Sequence, residues 1–424
     1  MTFNRREFVK AVSAGAGVAA LAGCAGTAGG PAVGRVVVIG AGYAGATAAK
    51  YIRLWSPDID VTLVERDAEF ISCPLSNLVV GGSKTLADIS VGYGGLAKYG
   101  VKVVRDEAAA VDPVRREVRL ASGATLAYDR LIVAPGIDLQ YDTLPGLAGA
   151  EAQAKVLHAW KAGAQTVALR KQLEAMRDGG VYALHIPKAP YRCPPGPYER
   201  ACQVAHYFKT AKPKSKVLIL DANEDVMSKK GLFMAAWNGP YKGLVDYQPN
   251  SELEDVDAAT LTAKLQFGSV KADVLNVVPP HRAGNIAQAT GLITANNRWC
   301  GVNWLTMESV KVPGVHVLGD ATLSAQLMPK SGHMANQHAK VCASAVIALI
   351  KNEPVNAQPM MVNTCYSFVD DKNVIHVASV HAYDATDKTM LPVKGAGGLS
   401  DKANELEGTY AFSWARNIWS DMLA

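Results

Sequence analysis

Apolar runs rich in Val, Ile and Leu recur along the chain, and Ala-rich segments follow some of them. The first run covers 35–39, an Ala-rich helical segment follows over 46–54, and a second run covers 60–65. Later runs of the same kind, each ending in a turn, predict further strands over 128–136, 180–186, 216–221 and 314–321. This alternation of strands and helices predicts an α/β fold.

A glycine-rich turn links the first run to the helical segment, where residues 40–45 read GAGYAG. Gly40 allows the tight turn, Gly42 lets the backbone approach a pyrophosphate, and Gly45 lets the helix pack on the strand. Glu65 ends the second run, 20 residues beyond Gly45, where an acidic side chain can bind the hydroxyls of a ribose. This combination predicts a dinucleotide-binding unit.

Two later strand ends complete this unit. The segments 128–136 and 314–321 end in APG and GDA. Together with the glycine-rich turn, they resemble the FAD signatures of the two-dinucleotide-domain flavoproteins, the glutathione-reductase superfamily. The resemblance implies that Ala134 and Gly136 contact FAD and that Asp320 bonds its ribityl chain. A turn aspartate that caps the next helix is the alternative for Asp320.

A second Rossmann-like unit is predicted between these segments, but without a nucleotide-binding turn. Its first strand, 180–186, is followed by PKAPYRCPPGP over 187–197, where a second glycine-rich turn belongs. Proline has no N–H to offer a phosphate, and its ring prevents the close approach that glycine permits. A helix over 199–209 and a strand over 216–221 continue the unit. We therefore expect that the nicotinamide site is lost and that NAD(P)H is not the electron partner.

The sequence CPPGPYER over 193–200 resembles the flavoprotein subunit of flavocytochrome c sulfide dehydrogenase and the related sulfide:quinone oxidoreductases. In these families a redox-active cystine lies over the flavin. The resemblance implies that Cys193 is the first cysteine of this pair and that Cys365, in the segment NTCYS, is the second. A structural disulfide and two buried apolar side chains are the alternatives for this pair.

Cys73 stands in the segment FISCPLSN, over 70–77. We expect a helix with Pro74 at its first position and Ser72 or Cys73 as its cap, and a thiol at a helix N-terminus ionises more readily. The resemblance implies that FAD is bound covalently through this cysteine, and a buried inert cysteine is the alternative. A reductase-type CxxxxC pair is excluded because Cys193 is the next cysteine in the chain.

Lys330 and Glu199 are two further candidates near the flavin. Lys330 precedes an Ala-rich helical segment that runs towards Ala348. In the wider family the start of this helix faces the pyrimidine end of the flavin, where a lysine would stabilise the reduced anion; a solvated turn lysine is the alternative. Glu199 can accept a proton from hydrogen sulfide or a thiol, and an exposed helix glutamate is the alternative. Packing residues are expected at Cys202, Cys300 and Cys342, and no metal site is expected at His333 or His338.

The first 30 residues have the pattern of an export signal. Arg5-Arg6, followed by a weakly apolar stretch over 11–23, resembles the twin-arginine pattern and implies a periplasmic location. An ordinary secretory signal and a basic tail are the alternatives. The segment 21–24 also resembles a lipobox, with plain cleavage nearby as its alternative, so membrane contact is expected only if Cys24 is lipidated.

Composition narrows the function classes further. The net charge of +5 is spread without a clustered basic stripe, which argues against nucleic-acid binding. The seven cysteines include no CxxC and no CxxCH, which argues against a zinc ribbon, a thioredoxin-type pair and an attached c-type haem. Electrons must therefore leave to a partner, and the resemblance implies a c-type cytochrome subunit.

Together these expectations describe two Rossmann-like dinucleotide-binding domains, glutathione-reductase-like, with a C-terminal interface domain. The predicted order is an export signal over 1–30, the first part of an FAD-binding domain over 34–150, a second Rossmann-like domain over 151–285, the second part of the FAD-binding domain over 286–355, and the interface domain over 356–424. The expected function is exported, FAD-dependent oxidation of sulfide to sulfur or polysulfide, with a cytochrome c as acceptor. A sulfide:quinone oxidoreductase with an apolar C-terminal face, and a non-catalytic flavin- or sulfur-binding component, are the alternatives.

Overall fold

A computed structural model describes residues 32–424, so the predicted export signal, with Arg5, Arg6 and Cys24, lies outside the described residues. The helices are α1 Gly45–Trp55, α2 Ser76–Gly81, α3 Ala150–Lys155, α4 Ala164–Ala175, α5 Gly196–Ala211, α6 Lys230–Asn238, α7 Asn285–Ala289, α8 Gly332–Lys351 and α9 Glu405–Leu423. The strands are β1 Gly34–Ile39, β2 Ile59–Glu65, β3 Glu69–Ile71, β4 Ser90–Gly92, β5 Lys102–Arg105, β6 Ala108–Asp112, β7 Glu117–Leu120, β8 Thr125–Ala127, β9 Arg130–Val133, β10 Ile137–Leu139, β11 Val181–Ile186, β12 Lys216–Asp221, β13 Val245–Gln248, β14 Leu253–Asp257, β15 Thr262–Leu265, β16 Gly268–Lys271, β17 Val274–Val277, β18 His281–Ala283, β19 Val315–Val317, β20 Met360–Phe368, β21 Val374–Asp384 and β22 Thr389–Leu399.

The first sheet is parallel and has the strand order β19-β9-β1-β2-β5. Its central strand, β1, buries consecutive residues, as a strand that is covered on both faces does. Helices α1 and α8 contact each other over small side chains, among which Ala46, Ala48 and Ala339 are fully buried. Because β19 joins strands from the first third of the chain, two distant segments complete one sheet.

The second sheet is also parallel and has the order β13-β12-β11-β17. Aromatic side chains form much of the core between this sheet and helices α5 and α6, and Tyr182, Tyr198, Phe208 and Phe233 are fully buried. Helix α5 begins directly after the proline-rich segment 187–195, so this segment leads into the N-terminus of the helix. Smaller antiparallel sheets, β6-β7-β8 and β14-β15-β16, flank the two parallel ones.

The C-terminal part consists of the antiparallel sheet β20-β21-β22 and helix α9. Near the end of α9, Asp421 accepts hydrogen bonds from the Tyr51 hydroxyl at 2.5 Å and from the Asn336 amide at 2.7 Å. The Lys340 ammonium forms an ion pair with the same carboxylate at 3.0 Å. These bonds tie the C-terminal helix to α1 and α8. Over residues 32–424, no helix has both the length and the apolar character that spanning a bilayer requires.

Candidate active site

The glycine-rich turn is shaped by close backbone contacts at two of its glycines. Gly40 has a φ of +90°, and a Cβ there would lie 2.5 Å from the carbonyl oxygen of Ala134. A Cβ on Gly45 would lie 1.8 Å from the carbonyl oxygen of Gly40. Gly42 differs, because a Cβ there would meet no heavy atom of the described residues within 4 Å. The turn is therefore tight where it packs and open where a pyrophosphate would approach.

Glu65 lies at the end of β2, beside this turn. Its Oε2 accepts a 2.7 Å hydrogen bond from the Ala41 N–H, and its Oε1 accepts a 2.9 Å bond from the Asp67 N–H. The side chain is half-buried, so its carboxylate retains free acceptor positions. Its predicted contact to a ribose stays a prediction.

Asp320 carries an unpaired polar atom that suits a cofactor hydroxyl. Its Oδ1 is buried and has no hydrogen-bond partner among residues 32–424. Burial raises the pKa of this carboxyl, while the charges of Arg192 and Lys330 lower it. The alternative that Asp320 caps the next helix is wrong, because Ser331 caps α8. Gly136 follows β9, the strand adjacent to the one that Asp320 follows; it has a φ of +65°, and a Cβ there would meet no heavy atom of the described residues within 4 Å. These residues fit the ribityl chain of FAD.

One cavity brings the predicted cysteines together. Cys73, Cys193 and Cys365 line it, along with Glu199 and Asp320. The three sulfur side chains are half-buried, and no disulfide joins any cysteine within residues 32–424. The other described cysteines, which are buried as packing residues, are Cys202, Cys300 and Cys342. The two cysteines of the predicted redox pair therefore line one cavity, and both their disulfide and their redox role stay predictions.

The backbone holds Cys193 in a left-handed conformation, with a φ of +57°. Its N–H donates a 2.8 Å hydrogen bond to the carbonyl oxygen of Lys330, and its carbonyl accepts a 2.9 Å bond from the Gly196 N–H. A Cβ on Gly196 would lie 2.9 Å from the Cys193 Sγ and 3.0 Å from the Trp160 ring. Non-glycine residues adopt such a φ at a cost, and they concentrate at functional sites. Burial raises the pKa of the Cys193 thiol.

Cys365 lies in β20, where its sulfur contacts the side chain of Asn363. The Asn363 Nδ2 donates to the Cys365 Sγ at 3.3 Å. Its Oδ1 accepts a 2.6 Å hydrogen bond from the Ser331 hydroxyl, which caps α8 by accepting from the Met334 N–H at 3.0 Å. Burial raises the pKa of the Cys365 thiol, while Lys229 and Asn363 lower it. One asparagine thus connects this cysteine to the start of α8.

Glu199 is buried in the first turn of α5, where it lines the cavity. Its Oε1 accepts a 2.8 Å hydrogen bond from the Phe368 N–H, and its Oε2 accepts a 2.8 Å bond from the Asn77 amide. Burial raises the pKa of this carboxyl. The alternative of an exposed helix glutamate is wrong, because α5 contacts α2 and β20.

Cys73 lines the cavity, but the expected helix does not begin beside it. Helix α2 begins at Ser76, and Leu75 precedes it in a left-handed conformation with a φ of +73°. Neither expected residue caps the helix, because the Ser72 hydroxyl donates instead to the carbonyl oxygen of Pro74 at 2.7 Å. The argument from a helix N-terminus is therefore wrong, and the covalent link through Cys73 stays a prediction that depends on its place in the cavity.

Lys330 is buried, so the alternative of a solvated turn lysine is wrong. Its Nζ donates to the carbonyl oxygen of Asp320 at 3.0 Å and to that of Thr322, and it lies 3.8 Å from the centre of the Trp299 ring. Burial lowers the pKa of Lys330 to about 8. The side chain fixes the segment that follows Asp320 and is not among the residues that line the cavity. Its contact to the flavin stays a prediction.

Two charged residues next to the cysteine pair were not predicted from the sequence. Arg192 lines the cavity and donates to the carbonyl oxygen of Trp160. The only sequence signal for Arg192 is that it directly precedes Cys193. Lys229 is buried beside Cys365, and no motif marks it, because packing alone brings these two residues together. In the described part of the chain, no group of three or more His, Cys, Asp or Glu side chains is placed to hold a metal ion.

The second sheet carries an acidic residue at the end of β12, but its hydrogen bonds are already made. Asp221 Oδ2 accepts from the Tyr198 hydroxyl at 2.7 Å and from the Tyr247 hydroxyl at 3.1 Å. Its Oδ1 accepts from the Asn223 amide at 2.7 Å. Burial raises the pKa of this carboxyl. Protein side chains thus fill the place where a ribose-binding acid would meet a nucleotide.

The two Rossmann-like sheets, the glycine-rich turn and the cysteine-lined cavity define a two-dinucleotide-domain flavoprotein. Residues 34–177 match the family model of pyridine nucleotide-disulphide oxidoreductases. Residues 166–279 match the central model of the sulfide dehydrogenase [flavocytochrome c] flavoprotein chain, and 357–423 match the flavin-binding model of flavocytochrome c sulphide dehydrogenase. The chain is 56% identical to the sulfide dehydrogenase [flavocytochrome c] flavoprotein chain of Chlorobaculum thiosulfatiphilum over 45 residues. These 45 residues make up 94% of that sequence and 11% of this chain. The chain belongs to the family of flavocytochrome c sulfide dehydrogenase flavoprotein chains.

Sulfide:quinone oxidoreductases are similar to this chain over a longer stretch. The mitochondrial enzyme of Mus musculus is 24% identical over 308 residues, which cover 68% of this chain. The chain spans 65% of the length of that enzyme. The crystal structure of the enzyme from Aquifex aeolicus has a TM-score of 0.74 at 18% identity, and the match covers 92% of this chain and 91% of that one. The predicted α/β fold with two dinucleotide domains is thereby confirmed.

Proposed function

We propose that this chain is an exported, FAD-dependent sulfide dehydrogenase that passes electrons to a c-type cytochrome subunit. The observation that carries the proposal is that Cys193 and Cys365 share one cavity with the buried Glu199. Family membership supports sulfide as the electron donor and a cytochrome as the partner.

The sulfur chemistry follows from two cysteines that cycle between a disulfide and two thiols. Hydrosulfide attacks one sulfur of the Cys193–Cys365 disulfide, so a new S–S bond forms while the old one breaks. One cysteine then carries a persulfide and the other is a thiolate. A second hydrosulfide attacks the outer persulfide sulfur and leaves as hydrogen disulfide, which yields the second thiol. Two sulfide sulfurs have then lost two electrons in total, and the cysteine pair has gained them.

We assign proton transfer in this cavity to Glu199, which lines it. Hydrogen sulfide must lose a proton to become the attacking hydrosulfide, and Glu199 accepts that proton at a carboxyl oxygen. Burial, which raises the pKa of Glu199, makes it a better proton acceptor than an exposed glutamate. The N–H groups of Phe368 and Asn77 hold the carboxylate in place between proton transfers.

The FAD site is assigned to the first Rossmann-like unit. The glycine-rich turn, Glu65 and Asp320 would hold the cofactor, and the strand end at Ala134 and Gly136 would border it. The unpaired Asp320 Oδ1 and the open space at Gly42 support this assignment. Cys73 would provide the covalent link from within the same cavity. FAD, when bound, accepts electrons in pairs and passes them on singly, which a cytochrome partner requires.

A sulfide:quinone oxidoreductase is the second candidate, because the chain is similar to such enzymes over 308 residues. Such an enzyme would need an apolar C-terminal face, for which the candidates lie on α9. Ala411, Ile418, Met422 and Leu423 are buried, whereas Phe412, Trp414 and Trp419 are half-buried. Leu406 and Tyr410 are the exposed apolar residues of this helix. Anaerobic sulfide oxidation with cytochrome c or with a soluble ubiquinone as acceptor separates the two candidates, and faster quinone reduction would favour the second.

Substitution of the cysteine pair tests the proposed chemistry. Cys193→Ser and Cys365→Ser should abolish anaerobic bleaching of the flavin by sulfide while the flavin content stays at the wild-type level. Cys202→Ala, a buried cysteine outside the cavity, is the control and should bleach normally. Retained sulfide turnover in either serine variant would contradict the disulfide mechanism.

The proposed export is tested separately. Replacement of Arg5 and Arg6 by lysine should leave the protein in the cytoplasmic fraction of the producing cell, because the twin-arginine pair addresses a folded protein to the export pathway. Unchanged delivery of this variant to the periplasm would contradict twin-arginine export.

A further inference from the structure

Lys229 is a buried cation beside Cys365 and comes from a different part of the chain. It directly precedes α6, has a left-handed φ of +55°, and is 5% exposed. Its Nζ donates to the Cys365 carbonyl oxygen at 2.9 Å, to the Ser367 hydroxyl at 2.7 Å, and to the Ile375 carbonyl oxygen at 3.5 Å. All three acceptors are uncharged, so the ammonium is buried without a carboxylate among its hydrogen-bond partners.

A buried ammonium costs free energy unless a nearby negative charge compensates it. Burial lowers the pKa of Lys229 to about 8, and the titratable groups that oppose this effect are Cys365 on β20, Glu199 on α5, Cys193 before α5 and Glu407 on α9. The cysteine sulfurs are neutral in a disulfide and gain charge only when the disulfide opens. The compensating charge at Cys365 is therefore one that the reaction itself creates.

The influence of Lys229 differs between the two sulfurs. For the Cys365 thiol, burial raises the pKa, and Lys229 is the strongest of the groups that oppose this effect. For the Cys193 thiol, burial also raises the pKa, and Arg192 precedes Lys229 among the groups that oppose this effect. Asn363, which donates to the Cys365 sulfur at 3.3 Å, adds a second contact that favours an anion there.

We propose that Lys229 is the counter-ion of an anionic sulfur at Cys365 in the reduced enzyme, so that Cys365 ionises before Cys193. This inference rests on the proposed redox role of the pair. Two electrons and one proton convert the disulfide into one thiol and one thiolate, and the ammonium selects Cys365 as the site of the thiolate. Lys229 is a positioning residue, because it acts through the charge on a cysteine sulfur and not by contact with the substrate.

The pH dependence of cysteine alkylation tests this proposal without any sulfide turnover. The holoprotein is reduced anaerobically with a phosphine and treated with iodoacetamide over a pH series, and mass spectrometry follows the Cys365 and Cys193 peptides separately. In the wild type, Cys365 should be alkylated at lower pH than Cys193. Lys229→Gln keeps a hydrogen-bond donor but removes the charge, and it should raise the Cys365 midpoint by about one pH unit or more.

Three variants serve as comparisons. Lys229→Met removes the charge in a second way and should shift the midpoint in the same direction. Lys229→Arg keeps the charge and should restore a midpoint close to the wild type. Lys230→Gln changes the neighbouring lysine, whose side chain is 59% exposed and paired with Asp225, and should leave the midpoint unchanged.

A Cys365 midpoint that stays at the wild-type value in folded Lys229→Gln or Lys229→Met protein would overturn the proposal. So would a wild-type protein in which Cys193 is alkylated at lower pH than Cys365, which requires no variant to fold. Failure of the proposed sulfide oxidation would appear only in the turnover assay, so the two results can be distinguished.

Discussion

The backbone N–H of Cys193 donates a 2.8 Å hydrogen bond to the carbonyl oxygen of Lys330. This bond joins the proline-rich segment of the second Rossmann-like unit to the residue before the α8 cap. The hydroxyl of the next residue, Ser331, donates a 2.6 Å hydrogen bond to the Asn363 Oδ1, and the Asn363 Nδ2 in turn donates to the Cys365 sulfur. Two adjacent residues at the start of α8 therefore position both cysteines of the pair.

Gly196→Ala should disturb Cys193 directly. The new Cβ would lie 2.9 Å from Sγ and 3.0 Å from the Trp160 ring, so the sulfur must move. We expect sulfide turnover to fall at least about tenfold and the free energy of unfolding to fall by about 1–3 kcal/mol. Steady-state kinetics and urea denaturation measure the two effects. Gly231→Ala, where a Cβ meets no described atom within 4 Å, is the matched control. Equal turnover in both variants would contradict the prediction.

Glu199→Gln should remove a proton acceptor from the cavity. In the wild type, turnover should rise with pH through the pKa of Glu199, which burial places above the ordinary value of about 4.3, because only the carboxylate accepts a proton. The variant should lose this rise and turn over roughly 100-fold more slowly. The measurement is the pH profile of sulfide-dependent acceptor reduction. Glu151→Gln, at an exposed position, is the control and should keep the wild-type pH profile. If turnover of Glu199→Gln still rises with pH as in the wild type, the titrating group is another residue.

Cys73→Ser should remove the covalent link to the flavin, so that acid releases the cofactor from the protein. If the thiol forms the covalent link, acid precipitation should leave yellow colour in the wild-type pellet and move it to the supernatant in the variant, because serine cannot form the thioether. Absorbance of pellet and supernatant measures the outcome. Cys300→Ala, a buried cysteine outside the cavity, should retain the colour. Flavin in the wild-type supernatant would show that the cofactor is not covalently bound.

Asp421→Asn should weaken the attachment of α9. Burial raises the pKa of Asp421, but hydrogen bonds from Tyr51, Asn336 and Lys340 outweigh it and hold the pKa below the ordinary value. The folded state therefore favours the carboxylate, and its contribution is complete above an unfolded-state pKa of about 3.9 and is lost as the pH falls through the folded-state pKa. We expect a loss of about 1–3 kcal/mol in the free energy of unfolding at neutral pH.

Urea denaturation at neutral and acidic pH measures this loss. The difference between Asp421→Asn and the wild type should shrink as the pH falls below the range in which the carboxylate is ionised. Asp401→Asn, at an exposed position, should show no loss at either pH. A difference that is independent of pH would mean that packing, and not the carboxylate charge, anchors the helix.

The first Rossmann-like unit was predictable because its signals are local. The turn that requires Gly40 and Gly45 lies within six residues of the chain, and the structure shows the close contacts that exclude side chains there. The predicted redox role of Cys193 and Cys365 rests on resemblance alone, since no local pattern in the sequence marks the two cysteines as a pair. The start of α2 was mispredicted because Ser72, a good cap by residue type, donates its hydroxyl to a nearby carbonyl instead.

Lys229 could not have been found from the sequence. It lies 136 residues before Cys365, and the contact exists only because the start of α6 meets β20 in the folded chain. The burial of Glu199 has a similar origin, because the first turn of α5 is covered only where α2 and β20 pack against this helix. Long-range packing, which no local pattern encodes, decided both positions.

The hydrogen bonds of Asp221 have a further consequence for the architecture. Tyr198, Tyr247 and Asn223 occupy acceptor positions of this carboxylate at the end of β12 with side chains of the same unit. Because Tyr198 belongs to α5, its hydrogen bond to Asp221 also fixes the turn of helix that carries Glu199.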